Sequence, residues 1–240
     1  MAQSLVIIPT YNEKENIEAI LKAVMLQPSL FDVLVVDDNS PDGTAELVLK
    51  TAKEYPNRIH LEVRTKKSGL GTAYIHGFHW ALERHYEYIF EMDADFSHKP
   101  DDLELLLEAC KNKGADVAIG SRYVKGITVV NWPLNRILLS YGASKYVKLI
   151  TGMSVNDSTA GFICYQRKVL ESIDLSKIHF VGYAFQIEMK FKAYLKKFTI
   201  IEIPVIFTDR VKGISKMTGS IIYEAVFGVI SMKIKSLFQK

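Results

Sequence analysis

Two aspartates one residue apart, Asp93 and Asp95, close the apolar run at 88–92. In an extended chain, residues i and i+2 face the same side. Carboxylates placed so close repel, and each raises the other's pKa unless a cation lies nearby. A donor set made only of oxygen suits Mg²⁺ or Mn²⁺, and Mg²⁺ is usually held by one or two carboxylates together with substrate phosphates. Metal-assisted handling of a phosphorylated substrate is the chemistry this pair implies.

Polar residues close two earlier apolar runs. Pro9-Thr10-Tyr11-Asn12-Glu13 follows the run at 5–8, and Asp37-Asp38 follows the run at 33–36. A ring at the position of Tyr11 is placed to stack on a nucleotide base, and Asp38 to accept hydrogen bonds from base or ribose. A purely local role is the alternative: Thr10 or Asn12 caps the next helix with Glu13 at its positive end, while the aspartates terminate a strand.

Four cations stand where anions could be held: Arg122, Arg136, Arg210 and Lys216. Arginine offers a bidentate fork to phosphate and lysine a compact charge. The stretch 209–216 is basic, contains Gly213 and follows a strand, so it could close over a diphosphate. A phosphate monoester, with its second pKa near 6, is already largely a dianion at neutral pH. As an acceptor it needs positioning and charge neutralisation rather than a general base. His76 and His79 share a helix face and read as surface or boundary residues rather than ligands.

These residues need elements to position them. Short apolar runs at 5–8, 33–36, 59–63, 88–92 and 117–119 read as strands. Helical spacing links Ile17, Ile20, Leu21 and Val24, then a segment capped by Thr44, then 73–82, then Leu103, Leu106, Leu107 and Cys110. Such alternation predicts a mostly parallel sheet covered on both faces, with ligands outside the carboxyl ends of its strands. The second half adds an amphipathic helix over 132–151 entered through Pro133, a strand at 162–165 and a helix at 185–196. A strand at 199–207, broken by Pro204 and so an edge or a bend, precedes the terminal helix. The helices at 132–151 and at the C-terminus suit a membrane interface, and equally suit packing on the domain or on a partner subunit.

With 240 residues, 48% of them hydrophobic, the chain can bury a substantial core. Its net charge of +3 does not argue for nucleic acid. Cys110 and Cys164 match no metal spacing and read as reduced thiols of a cytoplasmic protein. No export signal is visible, and the apolar region 221–232, interrupted by Glu224, is too short to span a membrane.

The motifs together resemble the family-2 glycosyltransferases of GT-A fold and, within them, the dolichol- or polyprenol-phosphate mannosyltransferases. The general marks are Pro-Thr-Tyr-Asn-Glu at 9–13, Val-Val-Asp-Asp-Asn-Ser-Pro-Asp-Gly-Thr at 35–44 and Met-Asp-Ala-Asp at 92–95. The subgroup marks are Gly-Leu-Gly-Thr-Ala-Tyr at 69–74, Ser97-His98, Gly-Ser-Arg-Tyr at 120–123 and Asn-Trp-Pro at 131–133. Ser-Thr-Ala-Gly-Phe at 158–162, Gly-Tyr-Ala-Phe-Gln at 182–186 and the segment 209–217 complete them.

By that resemblance, Pro9, Tyr11, Glu13, Val36 and Asp38 hold the guanosine of GDP-mannose, and Asp93 and Ala94 also touch the donor. Asp95 is the principal ligand of Mg²⁺ or Mn²⁺, joined by Asp93 and by Ser97, where some relatives have a glutamine. Arg122, Arg210 and Lys216 embrace the donor diphosphate and the acceptor phosphate, and Arg136 contacts the lipid phosphate. The implied reaction transfers mannose to dolichyl or polyprenyl phosphate with inversion. It takes place peripherally on the cytoplasmic face of a membrane, with or without an anchoring partner subunit.

Residues 1–217 would form the catalytic domain, and 218–240 a C-terminal amphipathic helix facing the domain, a membrane or a partner. Other readings are the same acceptor with UDP-glucose or a UDP-N-acetylhexosamine, and a non-catalytic nucleotide-sugar-binding module. A nucleotidyltransferase would place its basic glycine-containing loop directly after the first strand. A dehydrogenase lacks its glycine fingerprint here.

Overall fold

Hydrophobic runs rich in β-branched residues build the centre of the molecule. The computed structural model describes residues 3–182, 184–209 and 219–238. Strand β1 (Ser4–Thr10) is buried along almost its whole length, as expected where helices cover both faces of a parallel sheet. It is followed by α1 (Ile17–Met25), β2 (Phe31–Asp37), α2 (Thr44–Ala52), β3 (Ile59–Val63), α3 (Leu70–Glu83), β4 (Tyr88–Glu91), α4 (Asp102–Asn112) and β5 (Val117–Ser121). The second half contributes β6 (Val129–Val130), α5 (Leu134–Thr151), β7 (Ile163–Gln166), α6 (Arg167–Ser172) and a 3₁₀ turn at Leu175–Lys177. The chain then forms α7 (Ala184–Leu195), β8 (Ile200–Pro204), β9 (Phe207–Thr208) and α8 (Gly219–Phe238).

Seven strands form one sheet in the order β3-β2-β1-β4-β7-β5-β8, and β6 pairs with β9 in a small parallel ribbon. All pairings in the large sheet are parallel except those of β7, which runs antiparallel to both β4 and β5. Ile163 opposes Glu91 on one side and Ile119 on the other. The chain entering β7 therefore arrives at the edge where β4 and β5 end, and so meets the residues that follow those strands.

Alternation along the strands divides the core. Leu5, Ile7, Leu34 and Val36 pack with Tyr74, Phe78 and Phe185 of α3 and α7. Val6, Ile8, Val33 and Val35 pack with Ile20, Leu21 and Leu106 of α1 and α4. Helix α3 approaches β1 so closely that a Cβ on Gly77 would lie 2.7 Å from Ile7 Cγ2. Helix α8 rests on α5 and α7, where Tyr146 Oη donates to the Val226 carbonyl (2.9 Å) and Lys233 Nζ to that of Thr151 (3.1 Å).

Several expectations change in detail. Thr44 is the first residue of α2 rather than its cap, which is Gly43 at φ 90°. Helix α1 starts after Asn16, so neither Thr10 nor Asn12 caps it. Strand β4 stops at Glu91, leaving Asp93 two residues beyond it; Asp93 and Asp95 are therefore not paired by an extended strand. Trp132 precedes α5, whose N-cap is Pro133. Pro204 ends β8, which lies at the edge of the sheet, and the bend after it separates β8 from β9. Cys110 and Cys164 are buried free thiols.

Candidate active site

The carboxyl ends of β1 and β2 are sewn together by their loops. Asp37, fully buried, accepts hydrogen bonds from Thr10 Oγ1 (2.7 Å), Ser40 N (2.7 Å) and Ser40 Oγ (2.6 Å). The amides of Asn12, Glu13 and Lys14 donate in turn to Ser40 Oγ, Thr44 Oγ1 and Asp42. Asp37 is thus the structural member of the pair. Asp38 is bound by Arg64 at 2.5 Å, and Arg64 also donates to Thr72 Oγ1 at the start of α3 (2.7 Å). Pro9 and Val36 are register partners, and Lys67 Nζ sits 4.4 Å from the centre of the Tyr11 ring. Pro9, Tyr11, Glu13, Val36 and Asp38 therefore gather at one end of two adjacent strands.

Beyond β4 the chain turns sharply, with Phe96 at φ 59°. Asp95 and Ala94 are buried, and Asp93 is partly exposed. The Ser97 amide donates to Asp95 Oδ1 (3.0 Å), and the Ser97 carbonyl accepts from Thr208 N of β9 (3.1 Å). One carboxylate oxygen is thereby fixed by the backbone. No group of three or more His, Cys, Asp and Glu gathers at metal-binding distance among the described residues. A cation here would rest on Asp93 and Asp95 together with oxygens of a phosphorylated ligand, a donor set that fits Mg²⁺ or Mn²⁺.

After β5, Arg122 enters a buried ion pair. Its amide, Nε and Nη2 donate to Asp157 at 2.9, 2.7 and 2.6 Å, and Nη2 also donates to Thr159 Oγ1 (2.8 Å). Burial alone would push the Asp157 carboxyl up. The Arg122 charge and hydrogen bonds more than offset it and hold the group below the ordinary carboxylate value. Glu202 of β8 supports this loop by accepting from Asn156 N, Asp157 N and Ser121 Oγ. Arg136 pairs with Asp209 (2.8 Å) and lies 4.0 Å over the Trp132 ring. Arg122 is fixed by its neighbours rather than poised as a solvated charge, and Arg210 and Lys216 lie outside the described residues.

A cavity of about 430 Å³ lies beside several of these groups. Asp93, His98, Arg122, Trp132 and Arg136 line it, as do the apolar Leu138, Leu139, Ala143, Val147, Ile187 and Val226. From Arg136 to Val147 it follows α5 for about 16 Å at 1.5 Å per residue. His98 is buried, stacked on Phe162 (4.8 Å between ring centres) and edge-on to Phe207. Burial, and then the Arg122 charge, push its pKa down to about 4, so the ring is neutral at pH 7.

Sequence comparison places this arrangement. A family model described as glycosyl transferase family 2 matches residues 5–174. The chain belongs to glycosyl transferase family 2. This transferase is 48% identical to a polyprenol monophosphomannose synthase of Mycolicibacterium smegmatis, over 97% of the chain and 88% of that relative. It is 46% identical to an undecaprenyl-phosphate mannosyltransferase of Micrococcus luteus, over 94% and 91%. A mannosyltransferase of Pyrobaculum calidifontis, solved with GDP-Man and Mn²⁺, superposes with a TM-score of 0.62 at 18% identity, over all of this chain and 65% of that one. The resemblance drawn from the motifs and the GT-A type sheet are both borne out.

Asp157 and Glu202 escaped the sequence reading. Asp157 stands one residue before the recognised Ser158-Thr159-Ala160-Gly161-Phe162 stretch, and nothing local reveals that it pairs with an arginine 35 residues away. The buried Glu91 and Lys190 also escaped that reading, while Gln186, in the recognised 182–186 stretch and in the cavity wall, gave no sign of its partner Glu91, 95 residues away.

Proposed function

We propose that this transferase moves mannose from GDP-mannose to the phosphate of a polyprenyl or dolichyl monophosphate, with inversion at the anomeric carbon. The observation that carries the reading is a single cavity lined by Asp93, Arg122 and Arg136 and also, along α5 and α8, by apolar side chains. Such a lining suits a phosphate joined to a hydrocarbon chain. The names of the Mycolicibacterium and Micrococcus relatives support this acceptor class, and the GDP-Man bound in the Pyrobaculum neighbour supports the donor.

In this reading Pro9, Tyr11, Glu13, Val36 and Asp38 hold the guanosine at the ends of β1 and β2. Asp93 and Ala94 touch the donor. Asp95, with Asp93 and Ser97, holds Mg²⁺ or Mn²⁺, which when bound neutralises the departing diphosphate. Arg122, oriented in advance by Asp157, supplies a fixed positive field, the kind of preorganised donor that stabilises charge without reorganising. Arg136, Arg210 and Lys216 complete the cationic surround.

A phosphate oxygen of the acceptor forms a bond to the anomeric carbon as the bond to the GDP oxygen breaks on the opposite face, so the α-linked donor gives a β-linked product. The acceptor dianion carries its own nucleophilic charge, and no side chain has to remove a proton. The exposed apolar residues of α5 and α8, among them Leu134, Leu138, Phe227 and Phe238, would meet the cytoplasmic membrane face that holds the acceptor.

Incubation with GDP-mannose, polyprenyl phosphate and Mn²⁺, followed by NMR of the lipid product, tests the reading. A β-mannosyl phosphate is expected. An α-linked product, or transfer only from UDP-sugars, would contradict it.

A further inference from the structure

Beside the cavity lies a buried polar group that the reading above leaves unused. Glu91, the last residue of β4, and Lys190 of α7 are fully enclosed, and Gln186, one turn before Lys190, is 2% exposed. Gln186 Nε2 donates to Glu91 Oε2. Lys190 Nζ donates to the carbonyls of Ala160 (2.6 Å) and Gln186 (3.2 Å). The Glu91 bond holds the Gln186 side chain, and those of Lys190 tie α7 to the segment that leads into β7. Burial keeps the Glu91 carboxyl well above the ordinary range and the Lys190 ammonium below its own.

Gln186 Oε1 is buried and has no hydrogen-bond partner. Gln186 also forms part of the cavity wall, together with Asp93 and Gly161. A buried carbonyl oxygen without a donor is unfavourable until something supplies one. The occupants proposed for the cavity differ in what they can supply. A phosphate dianion has no proton to give, a prenyl chain has none, and the guanosine is assigned to the ends of β1 and β2. The hexose of the donor, beside Asp93, presents hydroxyl donors.

We infer that Gln186 is a specificity-determining residue whose Oε1 accepts a hydrogen bond from a hydroxyl of the donor sugar, an assignment that rests on the nucleotide-sugar transfer proposed above. A site built to bond a hydroxyl discriminates strongly against an analogue lacking it, because its buried partner is left unpaired.

Calorimetric titration of the Mn²⁺-loaded protein with GDP and with GDP-mannose, in wild type and Gln186→Met, separates the sugar from the nucleotide. The variant should bind GDP within twofold of wild type and lose tenfold or more of the preference for GDP-mannose over GDP. An unchanged preference, or equal weakening of both ligands, would overturn the assignment. A second measurement needs no variant: kcat/KM of the wild type with GDP-2-, 3-, 4- and 6-deoxymannose. One of them should lose tenfold or more, and undiminished activity with all four would overturn the assignment. If the wild type makes no mannosyl lipid from GDP-mannose, the proposed acceptor fails, while the comparison of GDP with GDP-mannose still decides the role of Gln186.

Discussion

Asp157 meets Arg122 through the arginine's main-chain amide and the Nε–Nη2 edge of its guanidinium, with the carboxylate fully buried and the arginine side chain 8% exposed. Removing one partner of such a pair leaves an uncompensated buried charge, which typically costs about 3–5 kcal/mol. Asp157→Asn should therefore lose about that much stability at pH 7 in denaturant unfolding.

The sign of the pH dependence follows from the carboxyl's lowered pKa. The folded state binds fewer protons than the unfolded chain at this group, so its contribution is present above the unfolded value of about 3.9. It is lost as pH falls through the lower folded value. The gap between wild type and Asp157→Asn should close on acidification below about pH 4, whereas a constant gap would assign the loss to packing.

At this scale the sequence is legible where chemistry is local. Asp93, Asp95 and the Tyr11 segment declare themselves by type and by their place after apolar runs. The pairs Arg122–Asp157 and Glu91–Gln186 do not, because their members are 35 and 95 residues apart and meet only through the sheet order.

Among the elements, the parallel half of the sheet follows from alternating short apolar runs and helical spacing, and its boundaries fall within a few residues of those expected. The direction of β7 does not follow. A four-residue apolar strand carries no sign of direction, and its antiparallel entry depends on where α5 delivers the chain. That entry places Asp157–Phe162 beside the ends of β4 and β5, so the least legible element supplies part of the site.

The closeness of α3 to β1 is equally hidden, since Gly77 looks like any helix glycine. Gly77→Ala would push a methyl into Ile7 and should cost about 1–3 kcal/mol, the usual penalty for overpacking. Thermal unfolding would register it as a lowered Tm, and an unchanged Tm would show that α3 can shift away from the sheet. Helix α5 lends its face to the cavity, where Ala143 sits between Leu139 and Val147. Ala143→Phe should fill that stretch, raising KM for a long-chain polyprenyl phosphate tenfold or more while leaving GDP affinity within twofold. Equal KM values would place the hydrocarbon elsewhere.

At the scale of the whole molecule, exposed large apolar residues occur on several elements, α5 and α8 among them. No helix among the described residues is long and apolar enough to cross a membrane. Helices α5 and α8 nevertheless pack side by side with large apolar residues exposed, Phe227 at 66%, Leu237 at 64% and Phe238 at 84%. Such a face binds an interface by buried apolar area, reinforced by lysines that reach towards anionic lipid.

The triple change of Phe227, Leu237 and Phe238 to serine should lower the fraction sedimenting with vesicles of phosphatidylglycerol and phosphatidylcholine about tenfold, by the area lost from the interface. Activity on a short, water-soluble prenyl phosphate should be retained. Unaltered sedimentation would remove this face from the account.

The two aspartates after β4 and the cavity along α5 are proposed to serve one reaction, mannosyl transfer to a lipid phosphate. The most direct test supplies radiolabelled GDP-mannose, polyprenyl phosphate and Mg²⁺ or Mn²⁺ to the wild type and to Asp95→Ala, and counts label in the organic phase. Metal-dependent label for the wild type, and at least a hundredfold less for the variant, is the predicted result. Label that persists in Asp95→Ala or without metal, or no lipid-phase label from the wild type, would contradict it.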